Sequence, residues 1–400
     1  MSDTFAKPLP AGRLRADPAW RAVVAAFALN GLLFGAWAAR VPAFKEGFAL
    51  GPGTLGLLLL ALAGGAIVSF PFAGALSERW GVQRLSSLCT WGYAPALVAL
   101  ALAPTPLVLG LLLFVFGVFH GSMDVAMNGW GARVEERLGR STMSFFHAMF
   151  SLGAGIGAGS GYLAVRAGLP PLWHFTAVAL IGGAITLALM ARVPAAPSAR
   201  SAAPTDRPLL ALPSGPLALV GLIAFTVSMG EGAMADWSAV FLRIAVDATE
   251  ARAALGYAVF SVTMVATRLC GGLLVERFGP VAVTRASAAT AFTGVMLAVA
   301  GQTLPLVLTG FALMGIGYAV VMPLVFSRAA RDPVVPSGPA IASVATLGYG
   351  GMLLGPPVIG FVAQATGMRF SFLVLAALAV LAILLARHLR MDDGAAPPGG

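Results

Sequence analysis

Long charge-free stretches alternate with short clusters of arginine and acid along this chain. Residues 47–77 run for 31 positions without Asp, Glu, Lys or Arg, 85–123 for 39, 286–327 for 42 and 333–368 for 36. One helix crossing a bilayer needs about 20 apolar residues. The 39- and 42-residue stretches therefore read as helical hairpins, turned at Ala103-Pro104-Thr105-Pro106 and Gln302-Thr303-Leu304-Pro305. The stretches lack the alternation of strands, and an open sheet edge is not tolerated in lipid. The pattern predicts helices over 19–41, 53–77, 84–103, 106–131, 142–166, 172–192, 216–242, 253–275, 281–301, 304–328, 338–364 and 369–389. The expected fold class is thus an all-α integral membrane protein with twelve transmembrane helices.

Composition agrees with the pattern and narrows the class. The 400 residues are 58% hydrophobic and 10% charged, against about 45–50% apolar and about 25% charged in soluble chains. A soluble enzyme, a disordered chain and a nucleic-acid binder are excluded together. The net charge of +9 instead reflects a topological bias, because cytoplasmic loops collect arginine and lysine. With the N-terminus in the cytoplasm, 18 Lys/Arg fall on cytoplasmic segments and six on the opposite side, with Arg268 inside a helix. Both termini are expected in the cytoplasm and the protein in the inner membrane. Cys89 and Cys270 both sit in apolar stretches, so neither a disulfide framework nor a thiolate metal cluster is expected.

The chain is duplicated. Residues 74–85 read GALSERWGVQRL and 272–283 read GLLVERFGPVAV, sharing Gly74/Gly272, Leu76/Leu274, Glu78/Glu276, Arg79/Arg277 and Gly81/Gly279 at a constant offset of 198. Both segments fall at the turn after the second helix of a six-helix unit. Residues 193–215 are rich in Pro, Ala and Ser and carry Arg200, Asp206 and Arg207, which suits a cytoplasmic linker. The expected organisation is an N-terminal tail (1–18), a six-helix bundle (19–192), the linker (193–215), a pseudo-symmetric second bundle (216–390) and a C-terminal tail (391–400). Half-repeats around a central site are a secondary-transporter architecture.

At these residues the chain resembles the major facilitator superfamily, whose signature at this loop reads G-x-x-x-D-R-x-G-R-[RK]. Glu78 stands in place of the Asp, and Val82-Gln83 in place of the basic pair. The resemblance implies that Glu78, Arg79, Glu276 and Arg277 latch the halves together on the cytoplasmic side during alternating access. Asp124-Val-Ala-Met-Asn128, Glu231, and Met322-Pro323 followed by Phe326-Ser327 look like the fucose-permease-like branch of sugar/proton symporters. That branch's helix-1 acid falls at Ala38 here. The resemblance implies a small polar solute as substrate, a sugar or related metabolite, moved with protons by a monomer in the lipid bilayer without cofactor, metal or nucleic acid. Multidrug or metabolite efflux by proton antiport is the alternative of the same class. A non-transporting membrane sensor is the alternative of another class.

Ionisable groups deep in a membrane cost at least about 2.5–3.5 kcal/mol each on insertion scales, which marks them as functional candidates. His120, Asp124 and Asn128 stand at i, i+4 and i+8, on one face of the fourth helix. Asp124 is expected to take a proton, because desolvation favours a neutral carboxyl, with Glu231 in the seventh helix as its partner in coupling. His120, Asn128, Asn30, His147 and Tyr318 are the candidate substrate contacts. Asp236 is expected near the interface beside an anchoring Trp237, paired with Arg40 as an outer gate. Arg268 reads as a structural ion-pair partner near the cytoplasmic gate. Gly153, Gly157 and Gly161 form a small-residue face suited to close helix contact.

Overall fold

The computed structural model describes residues 17–138, 142–194, 213–335 and 337–390. Most of the expected tails and linker, and Arg140, lie outside the described residues. The helices are α1 (Pro18–Gly47), α2 (Pro52–Trp80), α3 (Val82–Leu100), α4 (Pro106–Leu138), α5 (Met143–Arg166), α6 (Pro171–Met190), α7 (Pro216–Ala245), α8 (Glu250–Ala300), α9 (Leu304–Tyr318), α10 (Val321–Ala330), α11 (Ser337–Thr366), α12 (Met368–Ser371) and α13 (Leu373–Leu385). Five of them begin on proline, whose missing N–H costs nothing in the first turn. Asp17 caps α1 by accepting from the Trp20 N–H at 2.9 Å.

Ten helical segments among the described residues are long and apolar enough to cross a membrane. The sequence pattern predicts twelve, and two elements account for the difference. Helix α3, with 19 residues including Gln83, Arg84, Ser86, Ser87 and Thr90, is not among the ten. Helix α8 is continuous over 51 residues but contains the non-helical Gly279 (φ 77°), ahead of Pro280. Gly81, between α2 and α3, has φ 84°. These two glycines are 198 residues apart and adopt the same left-handed turn, which a side chain would strain.

One predicted helix, 304–328, is broken. Ala319 and Val320 form a turn between α9 and α10. Pro323 has no N–H to offer the carbonyl four residues earlier, so the Ala319 oxygen is left without a helical donor. The helix predicted over 369–389 is also divided, into α12, α13 and a 3-10 turn over Ala386–Leu389.

Close contacts between glycine faces hold the bundle together. Gly31 and Gly35 of α1 interleave with Gly153, Gly157 and Gly161 of α5, where a Cβ on any of the five would overlap the facing helix. Gly351 of α11 meets the Phe225 backbone of α7 in the same way. Contacts between residues 18–190 and residues 216–389 run chiefly through α5 on α8 and α2 on α11. Arg369 ties three helix ends, donating to the carbonyls of Val299 (2.8 Å), Gly301 (2.5 Å) and Ala245 (2.5 Å). Cys89 is buried and Cys270 is exposed.

Candidate functional site

Two carboxyl clusters lie between the ends of the bundle, each bridged to the opposite part of the chain. The first centres on Arg268 in α8. Its Nη2 faces both oxygens of Glu231 (α7) at 3.4 Å, its Nη1 donates to Ser151 Oγ (α5) at 2.8 Å, and its Nε donates to the Ala319 carbonyl at 3.1 Å. That last acceptor is the one Pro323 leaves free. Arg268 is therefore an inter-helix clamp at the level of Glu231, deeper than the gate role expected of it. Tyr257 (α8) and Tyr318 (α9) lie within electrostatic reach of Glu231. Tyr318 is buried, with its ring seated where Gly230 has no side chain. His147 in α5 is exposed, packs edge-on against Phe27 at 5.2 Å and feels the charge of Arg268.

The second cluster centres on Asp124 in α4. Its carboxylate accepts from Asn128 Nδ2 at 3.2 Å and from the Tyr349 hydroxyl of α11 at 3.2 Å. Both donors are neutral, and no described cation pairs with it. The Tyr349 ring packs against Phe70 of α2 in a tilted arrangement, centroids 4.8 Å apart. His120, expected on the same face, is buried in the packing: its Nδ1 meets the Tyr93 hydroxyl at 2.9 Å and its ring stacks on Phe34 at 5.0 Å. Asn30 is fully buried, with Nδ2 3.6 Å from Met127 Sδ.

The gate residues distribute unequally between the two ends. At one end Arg40 is buried, donates to the Leu169 carbonyl at 3.1 Å, and lies 3.4 Å from Glu250. Arg243 pairs with Glu46 at 2.6 Å nearby. The expected Arg40–Asp236 pair is thus replaced by Arg40–Glu250, because α8 begins on an acid that reaches back to α1. Neither Asp236 nor Trp237 is a solvated surface group. Asp236 is 7% exposed and Trp237 fully buried, the Trp237 ring lying against Gly360 of α11. At the other end Glu78, Arg79, Glu276 and Arg277 are exposed, without an ion pair among the described residues; Arg277 lies over the Phe278 ring at 5.5 Å.

Sequence reasoning missed Tyr349, Ser151, Glu250 and the Arg268–Glu231 contact. A signal for two of them exists. The offset of 198 maps Ser151 onto Tyr349 and Phe70 onto Arg268. Both cross-contacts, Phe70 with Tyr349 and Ser151 with Arg268, thus occur at repeat-related positions.

The sequence model of the Major Facilitator Superfamily matches residues 22–333. An uncharacterized transporter of Sinorhizobium fredii is 46% identical over 372 residues, covering 93% of this chain and 98% of the relative. An uncharacterized MFS-type transporter of Yersinia pestis is 35% identical over 347 residues, covering 87% and 89%. Among solved structures, the nucleoside transporter NupG superposes with a TM-score of 0.69 at 17% identity, over 94% of this chain and all of that one, a likeness of fold.

Proposed function

Because the chain belongs to the major facilitator superfamily and is a membrane transporter of that kind, we propose that it moves a small polar solute together with protons by alternating access. In this reading two six-helix halves, 19–192 and 216–390, cross the inner membrane twelve times in total. The linker and both tails are cytoplasmic, and the protein works as a monomer. We read it as nearest to the fucose-permease-like branch, on Asp124, Asn128, Glu231 and Pro323. The Arg40 end is then periplasmic and the Glu78 end cytoplasmic.

The observation that carries the reading is Asp124, half-buried at mid-helix and held by neutral donors alone. A charge so placed is costly and a proton removes the cost. Loss of the charge also changes what Asp124 offers Tyr349, so proton binding is tied to a contact between the halves. Glu231 is the second proton site, coupled through Arg268 to Ser151 of the other half. Substrate contacts fall to Asn128, His147 and Tyr318, with Asn30 and His120 supporting the wall behind them. The one-sided closure supports alternating access: ion pairs join the halves at the Arg40 end, while Glu78, Arg79, Glu276 and Arg277 stand apart until the opposite state brings them together.

Proteoliposomes carrying a pH-sensitive dye test this directly. Addition of a transported solute from a panel of sugars and organic acids should move protons with it. Asp124→Asn should abolish pH-gradient-driven accumulation while sparing part of the exchange. Survival of gradient-driven uptake in both Asp124→Asn and Glu231→Gln defeats proton coupling through these residues.

A further inference from the structure

The Arg268 guanidinium is held in place by neutral acceptors rather than by its counter-charge. Two nitrogens are fixed, one by Ser151 Oγ at 2.8 Å and one by the Ala319 carbonyl at 3.1 Å. The third meets Glu231 at 3.4 Å from both oxygens, well beyond the roughly 2.7–2.9 Å of a charge-assisted hydrogen bond. Glu231 takes no other hydrogen bond among the described residues, and its side chain is 28% exposed. The cation is therefore pre-organised and its carboxylate is replaceable. A planar guanidinium fork with one loosely occupied corner matches a carboxylate in geometry as well as charge.

We propose that Arg268 docks the carboxylate of a small hydroxylated organic acid, which displaces Glu231. This rests on the proton-coupled reading above and gives it a substrate class. Displacement leaves two carboxylates facing one cation, so Glu231 takes up one proton from the bulk solution, entering with the acid, and the site stays neutral. The groups facing this exchange are Arg268 and Tyr257 from α8, Tyr318 from α9 and His147 from α5. The hydroxyl groups of the acid are assigned to the neutral donors of the second cluster, Asn128 and Tyr349, which hold Asp124. A neutral sugar would leave the Arg268–Glu231 contact untouched and gain nothing from a guanidinium fixed in this way.

Thermal-shift titrations of the purified protein compare gluconate with sorbitol and lactate with lactamide. The acids should stabilise the wild type, more strongly as pH falls, and the neutral counterparts should not. Glu231→Gln removes the internal rival, so acid affinity should rise at least tenfold and lose its pH dependence. Arg268→Gln should abolish the acid effect. Arg268→Lys, checked for folding by its elution volume, should weaken the effect more than tenfold. Equal shifts with acids and neutral counterparts, an undiminished acid shift in Arg268→Gln, or no acid shift in Glu231→Gln overturns the proposal. Acid binding as expected without gradient-driven gluconate uptake defeats proton-coupled transport and leaves the docking site standing. Gradient-driven sorbitol uptake by Arg268→Gln does the reverse.

Discussion

At the turn into α11 the Asp332 carboxylate accepts from the N–H groups of Val334 (3.1 Å) and Val335 (3.0 Å) and from Arg328 Nη1 (3.2 Å). Burial by itself works to raise the carboxyl. The Val335 and Val334 N–H groups and then Arg328 outweigh it and hold Asp332 below the ordinary carboxylate range. A depressed carboxylate stabilises the fold above the unfolded-chain value of about 4 and loses that stabilisation as pH falls through its lower folded value. Asp332→Asn, which keeps an acceptor for the two N–H groups but loses the charge facing Arg328, should therefore lower the thermal midpoint at pH 7 by the equivalent of up to about 1 kcal/mol. The gap between wild type and variant should close on acidification; a gap independent of pH contradicts the assignment. At this scale the sequence reveals charged residues in apolar surroundings, hence Asp124 and Glu231, but not their partners. Tyr349 lies 225 positions from Asp124 and is one aromatic residue within a charge-free run. Arg40 found Glu250 rather than Asp236 because partner choice depends on how far α7 extends before the chain turns.

Among the elements, the break between α9 and α10 links a backbone feature to a side-chain one. Pro323→Ala supplies an N–H that can reclaim the Ala319 carbonyl, so the helix should straighten and Arg268 should lose one acceptor. The expected result is an unchanged or raised thermal midpoint together with several-fold weaker ligand binding; equal affinity would show that the carbonyl does not position the guanidinium. Helix α5 offers a second test. Gly157→Leu drives a side chain into the Leu32 backbone of α1, and overpacking of this kind typically costs about 1–3 kcal/mol. The same change at Gly159, where a Cβ meets nothing within 4 Å, should be nearly neutral in thermal stability. Helix positions were legible because charge-free length and proline starts are local signals. The α9–α10 break was less so, because apolar periodicity continues across it while the hydrogen-bond ladder does not.

Across the whole molecule, closure at the Arg40 end rests on one buried and one exposed ion pair. The exposed Arg243–Glu46 pair is worth about 0–1 kcal/mol, whereas truncating Arg40 strands a partly buried Glu250. Spin labels at Phe48→Cys and Asp247→Cys in a Cys89→Ser/Cys270→Ser background would report this opening. Arg40→Ala should populate longer distances, Glu46→Ala should change them little, and the exchange Arg40→Glu/Glu250→Arg should restore part of the short population. Unchanged distances in Arg40→Ala would assign closure to helix packing alone. The repeat was legible at this scale from five shared residues, and Gly81 and Gly279 carry it into the backbone. The accessibility of the two cysteines has a practical side. Cys89 is buried and Cys270 is exposed two residues beyond Arg268 on α8, on the helix face turned away from it, so the native protein already carries one accessible thiol on the helix that bears the guanidinium clamp. A membrane-permeant thiol-reactive fluorophore should label Cys270 in preference to Cys89, at up to one label per chain, and follow the motion of α8 during turnover.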